Sequence, residues 1–101
     1  MVHLVDTVDV DPALVDDYLG VVRGLGVAVM TDAGAALVSC ATTPRDMGEP
    51  VSIQVVWGFD DFAHWNDIRR RLVLDPRWYD YGSAVARLRA AGTRRFYLPG
   101  P

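Results

Sequence analysis

The segment "VHLVDTVDV" at residues 2–10 alternates apolar with polar positions and is rich in β-branched residues, which predicts a strand. Asp11 and Pro12 follow, a capping residue and a residue suited to the first helical position. Leu14, Val15, Tyr18, Leu19, Val22 and Leu25 then recur three and four apart, an amphipathic helix expected to end near Gly24 or Gly26. "TDAG" (31–34) reads as a turn, "AALVSCATT" (35–43) as a second strand and "PRDMGEP" (44–50) as a polar loop. "VSIQVVWGF" (51–59) is a third strand with two unlike faces. Val51, Ile53, Val55, Trp57 and Phe59 make one face wholly apolar, and Ser52, Gln54, Val56 and Gly58 make the other smaller and more polar.

Asp60 or Asp61 caps the next helix, in which Phe62, Trp65, Ile68, Arg69 and Leu72 share a side. The helix breaks at Asp75-Pro76, where a cap followed by proline starts another with Trp78, Tyr81, Val85 and Leu88 on its inward stripe. Gly92 suits the residue just past that helix, and "TRRFYL" (93–98) is the last strand. The order is β-α-β-β-α-β with the second helix split. It predicts a single ferredoxin-like α+β domain over residues 1–101, a four-stranded antiparallel sheet of order 4-1-3-2, and both helical layers on one sheet face. The opposite face is left bare. A face of that size is expected to recruit a partner, most simply a second copy about a two-fold axis, giving a homodimeric α/β barrel.

Composition narrows the chemistry. At 101 residues the chain is one domain's length, and half of it is apolar. No apolar run approaches the roughly 18–20 residues that cross a bilayer, and the acidic, alternating start is not a signal peptide. A soluble cytoplasmic protein without membrane contact is expected. Cys40 is the sole cysteine, so no internal disulfide forms; on a strand it is expected to be a small buried apolar residue. All basic residues are Arg and none is Lys, which excludes a lysine Schiff base and a P-loop. Two His and one Cys cannot build a three-His or cysteine-rich zinc site, and no dinucleotide fingerprint is present, so neither metal nor cofactor is expected. The acids gather before residue 68 and the arginines after it, but the net charge of −3 argues against nonspecific nucleic-acid binding.

The stretch "EPVSIQVVWGFDDFAHWNDIRRRLVLDPRWYDY" resembles the NIPSNAP family of the dimeric α/β-barrel superfamily. The likeness lies in a strand ending in Trp57 and then Phe59, a following Arg-bearing helix, and a D-P-x-W-x-x-Y segment matched by Asp75, Pro76, Trp78 and Tyr81. It covers the second half of the chain in residues and the first half only as topology. Family members often carry a His two residues before the strand Trp; Val55 stands there, so no role of that His carries over. The resemblance implies the fold, the dimer and a pocket between sheet and helices. Within the superfamily the activities include cofactor-free monooxygenases, haem-degrading oxygenases, cyclases, lyases and isomerases. Trp57 and Trp65 would wall such a pocket, with Tyr18, Trp78 and Tyr81 nearby; the alternative is that these rings simply fill the core.

Asp6 interrupts the apolar face of Val2, Leu4, Val8 and Val10 on what should be a central strand. It either pairs with an arginine, one of 69–71 or 94–95, or sits in the pocket as a general base, or lies exposed at an edge. Arg69, one turn after Trp65, either meets a carboxylate or an anionic substrate, or reaches solvent. His64 beside Trp65 is placed to transfer protons from the pocket rim, or lies on the surface. His3 on the opposite strand face reads as a packed histidine. The expectation is a cofactor-independent enzyme acting by proton transfer (an isomerase, cyclase, lyase or oxygenase) on a small hydrophobic, oxygenated or aromatic molecule. Asp6 or His64 would act as acid and base and Arg69 would hold developing negative charge. The alternative is a homodimer that binds a small molecule or haem without catalysis.

Overall fold

The computed structural model describes residues 1–47 and 50–100, so the expected loop at 44–50 lies partly outside the described residues, at 48 and 49. The strands are β1 (Val2–Val10), β2 (Ala36–Thr42), β3 (Val51–Phe59) and β4 (Arg89–Tyr97). All pairings are antiparallel, in the order β2-β3-β1-β4, the ferredoxin-like arrangement the alternation predicts. β1 and β3 carry the strongest apolar faces and occupy the centre. Val2, Leu4, Val8 and Val10 of β1 join Val51, Ile53, Val55, Trp57 and Phe59 of β3 in one buried layer beneath the helices. The two edge strands are exposed along their whole length.

Asp11 accepts a hydrogen bond from the Ala13 amide at 2.9 Å, and Pro12 opens the first helical turn. Helix α1 (Val15–Val21) passes through a widened turn at Val22–Gly26 into α2 (Val27–Ala33). The expected stop at Gly24 or Gly26 is therefore corrected: the helical path runs on to Ala33. Val29, Met30 and Ala33 are buried, and that burial outweighs the roughly 1 kcal/mol by which each glycine disfavours a helix. The stop comes at Gly34, whose φ of 112° is the left-handed conformation glycine adopts freely. Arg71 donates to the Ala33 carbonyl at 2.9 Å, satisfying one of the orphaned carbonyls there.

Helix α3 (Phe62–Leu72) is capped by Asp61, which accepts from the His64 amide at 2.8 Å. Its buried residues are Ile68 and Leu72. Helix α4 (Pro76–Leu88) starts on the Asp75 cap, as the Asp-Pro pair predicts. Arg77 bridges Asp75 and Asp32, tying the start of α4 to the end of α2. Tyr79 lies off the inward stripe of α4, and its hydroxyl donates to the Val73 carbonyl at 2.9 Å, closing the α3–α4 corner.

Two further readings are corrected. β4 begins at Arg89 rather than Thr93, so Gly92 is a strand residue and not a helix terminator. The reason is pairing: Thr7, Val8, Asp9 and Val10 need partners on their free side, and Thr93, Gly92, Ala91 and Arg89 supply them. Cys40 is exposed, because β2 is an edge strand that no helix fully covers. The Cα extents of 41 × 38 × 18 Å are those of one sheet with one helical layer. His3, Val5, Thr7 and Asp9 of β1 therefore face away from the helices, beside Gln54, Val56 and Gly58 of β3.

Candidate functional site

Asp6 is the one polar side chain buried in the β1 core face, 8% exposed among buried apolar neighbours. A carboxylate there requires a partner. The register supplies it, because Asp6 pairs directly with Arg94 on β4. Arg94 Nε donates to Oδ1 at 2.6 Å and Nη2 to Oδ2 at 3.1 Å, a two-pronged contact. Desolvation works against the Arg94 charge, but its bonds to Asp6 outweigh this and hold the guanidinium above its usual range.

Tyr18 of α1 and Tyr81 of α4 close over this pair. They are 2% and 3% exposed, and burial is the first reason that both phenols resist ionisation. Tyr18 is pushed up to about 12 by burial and then by Asp6, against the opposing pull of Arg89 and Arg94. Tyr81 is raised further, by burial and then by Tyr18 and Asp6. At neutral pH both hydroxyls therefore keep their protons and are able to donate. The widened turn seats Tyr81: a methyl at Gly26 would stand 2.8 Å from its Cε1 and 2.9 Å from its Cζ, so only glycine leaves room for the ring. A widened turn inside a helix is often found at functional sites.

Trp78 completes the wall. Its ring lies 6.2 Å from Tyr81, and the Arg94 guanidinium sits over it at 5.5 Å from the centroid. Between these groups the helices stand off the sheet and leave a cleft of about 520 Å³, open on the β4 side. Val8, Val85, Tyr79, Gly82 and Ser83 line it beside the aromatic and charged groups, and Arg89 stands at its mouth. The size and the mixture of apolar walls with few polar groups suit one small organic molecule.

The residues singled out in the sequence divide into two groups. Asp6, Tyr18, Trp78 and Tyr81 line the cleft together. Trp57, Trp65, His64 and Arg69 do not. Trp57 is fully buried in the core, and its indole Nε1 has no hydrogen-bond partner. Trp65 stacks on Phe59 at 5.3 Å and meets Phe96 edge-on, in an aromatic cluster at the far end of β3. His64 sits at the α3 N-terminus, where its Nδ1 accepts from the Asp60 amide at 3.0 Å and its ring meets Phe59 edge-on. Arg69 is exposed rather than inward, and the partner of Asp6 is Arg94. Position 69 falls at the margin of a stripe whose centre is Ile68 and Leu72, and a long charged side chain at a margin turns to water. Arg89 and Arg94 are the cleft residues that sequence reasoning passed over as ligand contacts. Their signal was the two-residue alternation of β4, which sets Gly92, Arg94 and Phe96 on the face of Val8, Asp6 and Leu4.

Among the described residues no three His, Cys, Asp or Glu side chains gather to hold a metal, and no helix is long and apolar enough to cross a membrane. No protein-family model matches the chain, and no curated protein does. Solved structures do. An uncharacterized NIPSNAP domain protein from Burkholderia xenovorans superposes with a TM-score of 0.80 at 25% identity, over 99% of this chain and 95% of that one. A NIPSNAP family protein of unknown function from Agrobacterium tumefaciens gives 0.78 at 22% identity, over 98% and 87%. A putative antibiotic biosynthesis monooxygenase from Nitrosomonas europaea gives 0.70 at 9% identity, over 98% of each chain, a likeness of fold alone. The chain is thus NIPSNAP-like in fold: a ferredoxin-like domain whose neighbours among solved structures are NIPSNAP domain proteins and proteins of the antibiotic biosynthesis monooxygenase type.

Proposed function

We propose that this chain is a small-molecule enzyme of the proton-transfer type, acting on a hydrophobic, oxygenated substrate held in the cleft between helices and sheet. The observation that carries this reading is the convergence of a carboxylate, a guanidinium and two protonated phenols on one apolar-walled space. Asp6 is the only carboxylate among the described lining residues and is the base. It takes a proton from a carbon beside a carbonyl. The C–H electron pair moves into the new C=C bond, and the carbonyl π electrons move onto oxygen. Tyr18, Tyr81 and Arg94 then donate to the enolate oxygen, where charge develops at the buried end of the cleft beside the two phenols. Drawing Arg94 toward the substrate frees the Asp6 oxygens for the proton. Return of that proton to another carbon is isomerisation, and attack of the enolate within the same molecule is cyclisation.

Phenylpyruvate, which carries an aromatic ring and an enolisable carbon, tests this in D2O. The expected result is protein-dependent exchange of its benzylic protons, lost in Asp6→Asn with the fold intact. Exchange at the buffer rate while the compound occupies the cleft would reject the proton-transfer role and leave the neighbouring reading, a binding protein. The antibiotic biosynthesis monooxygenase type among the structural neighbours makes oxygenation of the same enolate the second chemistry to assay, by oxygen uptake.

The working form we propose is a homodimer through the outer sheet face. Val38 is 48% exposed on that face, beside the largely covered Val5 and Val56, and the thickness of 18 Å leaves no second layer.

A further inference from the structure

Arg89 is the group at the cleft that the reading above leaves without a task. It begins β4, and its side chain runs forward along the strand so that its Nη1 lies 2.7 Å, and its Cδ 3.4 Å, from where a Cβ on Gly92 would stand. Gly92 is opposite Val8 on the helix-facing side of the sheet, and the Val8 methyl lies 3.0 Å from the same point. The absence of a side chain at 92 is what lets the guanidinium lie flat against the strand at the cleft. Arg94 is bound by Asp6, whereas Arg89 has no carboxylate partner among the described residues. The formal charges of the lining are Asp6, Arg89 and Arg94, so one positive charge is left over. The remaining polar groups, Ser83 and the two protonated phenols, are each able to donate to an anion.

We infer that the cleft selects monoanionic ligands: an aromatic or apolar body lies against Trp78 and Val85, and a carboxylate, or an equivalent planar anion, is gripped by Arg89. A guanidinium matches a carboxylate through two parallel N–H donors, and the cleft's apolar walls weaken the competition from water. This deepens the proposed function by naming the substrate's charge class, and it rests on the cleft being the binding site. A neutral body of the same shape fills the same walls but leaves Arg89 unanswered.

Equilibrium dialysis of the full chain with 2-naphthoate and with 2-naphthalenemethanol separates the two claims. Wild type is expected to hold the carboxylate roughly 3- to 5-fold more tightly than the alcohol, the upper range for an ion pair to an exposed side chain. Arg89→Gln should reduce that ratio to about one while leaving the alcohol's affinity in place, since an exposed side chain is removed and the walls stay. Gly92→Ala should lower the ratio in the same direction with every charge retained, because its Cβ would take the place of the Arg89 head. Equal affinities in wild type, or a preference that survives Arg89→Gln, would overturn the inference and leave the cleft reading standing. Failure of both compounds to bind would overturn both.

Discussion

Asp6 on the central strand and Arg94 on the edge strand face each other across one rung of the sheet and meet at 2.6 and 3.1 Å through both carboxylate oxygens. The pair is unequal. Asp6 is nearly covered, while 43% of the Arg94 side chain still reaches solvent. Removing the cation strands a buried anion, whereas removing the anion leaves a cation that can turn outward. Arg94→Gln is therefore expected to destabilise the fold by about 2–4 kcal/mol, and Asp6→Asn, which keeps shape and one acceptor, by about 1 kcal/mol. Urea unfolding of both variants checks this, and equal losses would refute the asymmetry.

Gly20 and Gly26 lie in one helical run and should respond to alanine with opposite signs. A Cβ at Gly20 meets nothing within 4 Å, so Gly20→Ala should add about 0.5–1 kcal/mol through helix propensity. A Cβ at Gly26 strikes the Tyr81 ring, so Gly26→Ala should cost about 1–3 kcal/mol through overpacking and disturb the cleft. Thermal unfolding of the two variants decides it. A stabilised Gly26→Ala would show that the ring has another place to sit.

The raised phenols give a pH dependence with a definite sign. Between the ordinary tyrosine range near 10 and about 12, the unfolded chain releases the Tyr18 proton and the folded chain retains it. The folded state then binds more protons, so stability falls as pH rises across that window. Tyr81 adds to the effect in the same direction. The difference in absorbance at 295 nm between wild type and Tyr18→Phe should titrate with a midpoint of about 12. A midpoint near 10 would mean the phenol is in water.

The strands at 2–10 and 51–59 were legible because apolar residues recur at every second position, Asp6 apart, and the apolar faces of both belong in the core. The caps at Asp11 and Asp75, and one of Asp60 and Asp61, were legible because short polar side chains bonding the next turn are a local event; the structure selects Asp61. What escaped was set from a distance. "ARLRAAGTRRF" holds good helix formers up to a glycine, and only the unpaired side of β1 makes its second half a strand. The partner of Asp6 could not be chosen among five arginines, because its register lies 88 residues along the chain. Trp57 and Trp65 share apolar stripes with true core residues, and pattern alone does not distinguish a ring that fills the core from one that lines a space.

The outer sheet face yields a prediction about assembly. Sedimentation at micromolar concentration should find a dimer, and Val38→Asp, a charge set on that face beside Gly58 where the side chain is half exposed, should shift it to monomer. A wild-type chain that sediments as a well-folded monomer would remove the barrel.

Three indole N–H groups report from three places: Trp57 from the core, Trp65 from the aromatic cluster at the end of β3, and Trp78 from the cleft. A ¹⁵N-correlated spectrum recorded while 2-naphthoate is added therefore reads out where the ligand sits. Occupation of the space between Asp6, Tyr81 and Arg94 requires the Trp78 signal to move with saturation while those of Trp57 and Trp65 hold still. Movement of Trp65 or Trp57 with Trp78 unchanged would contradict the account.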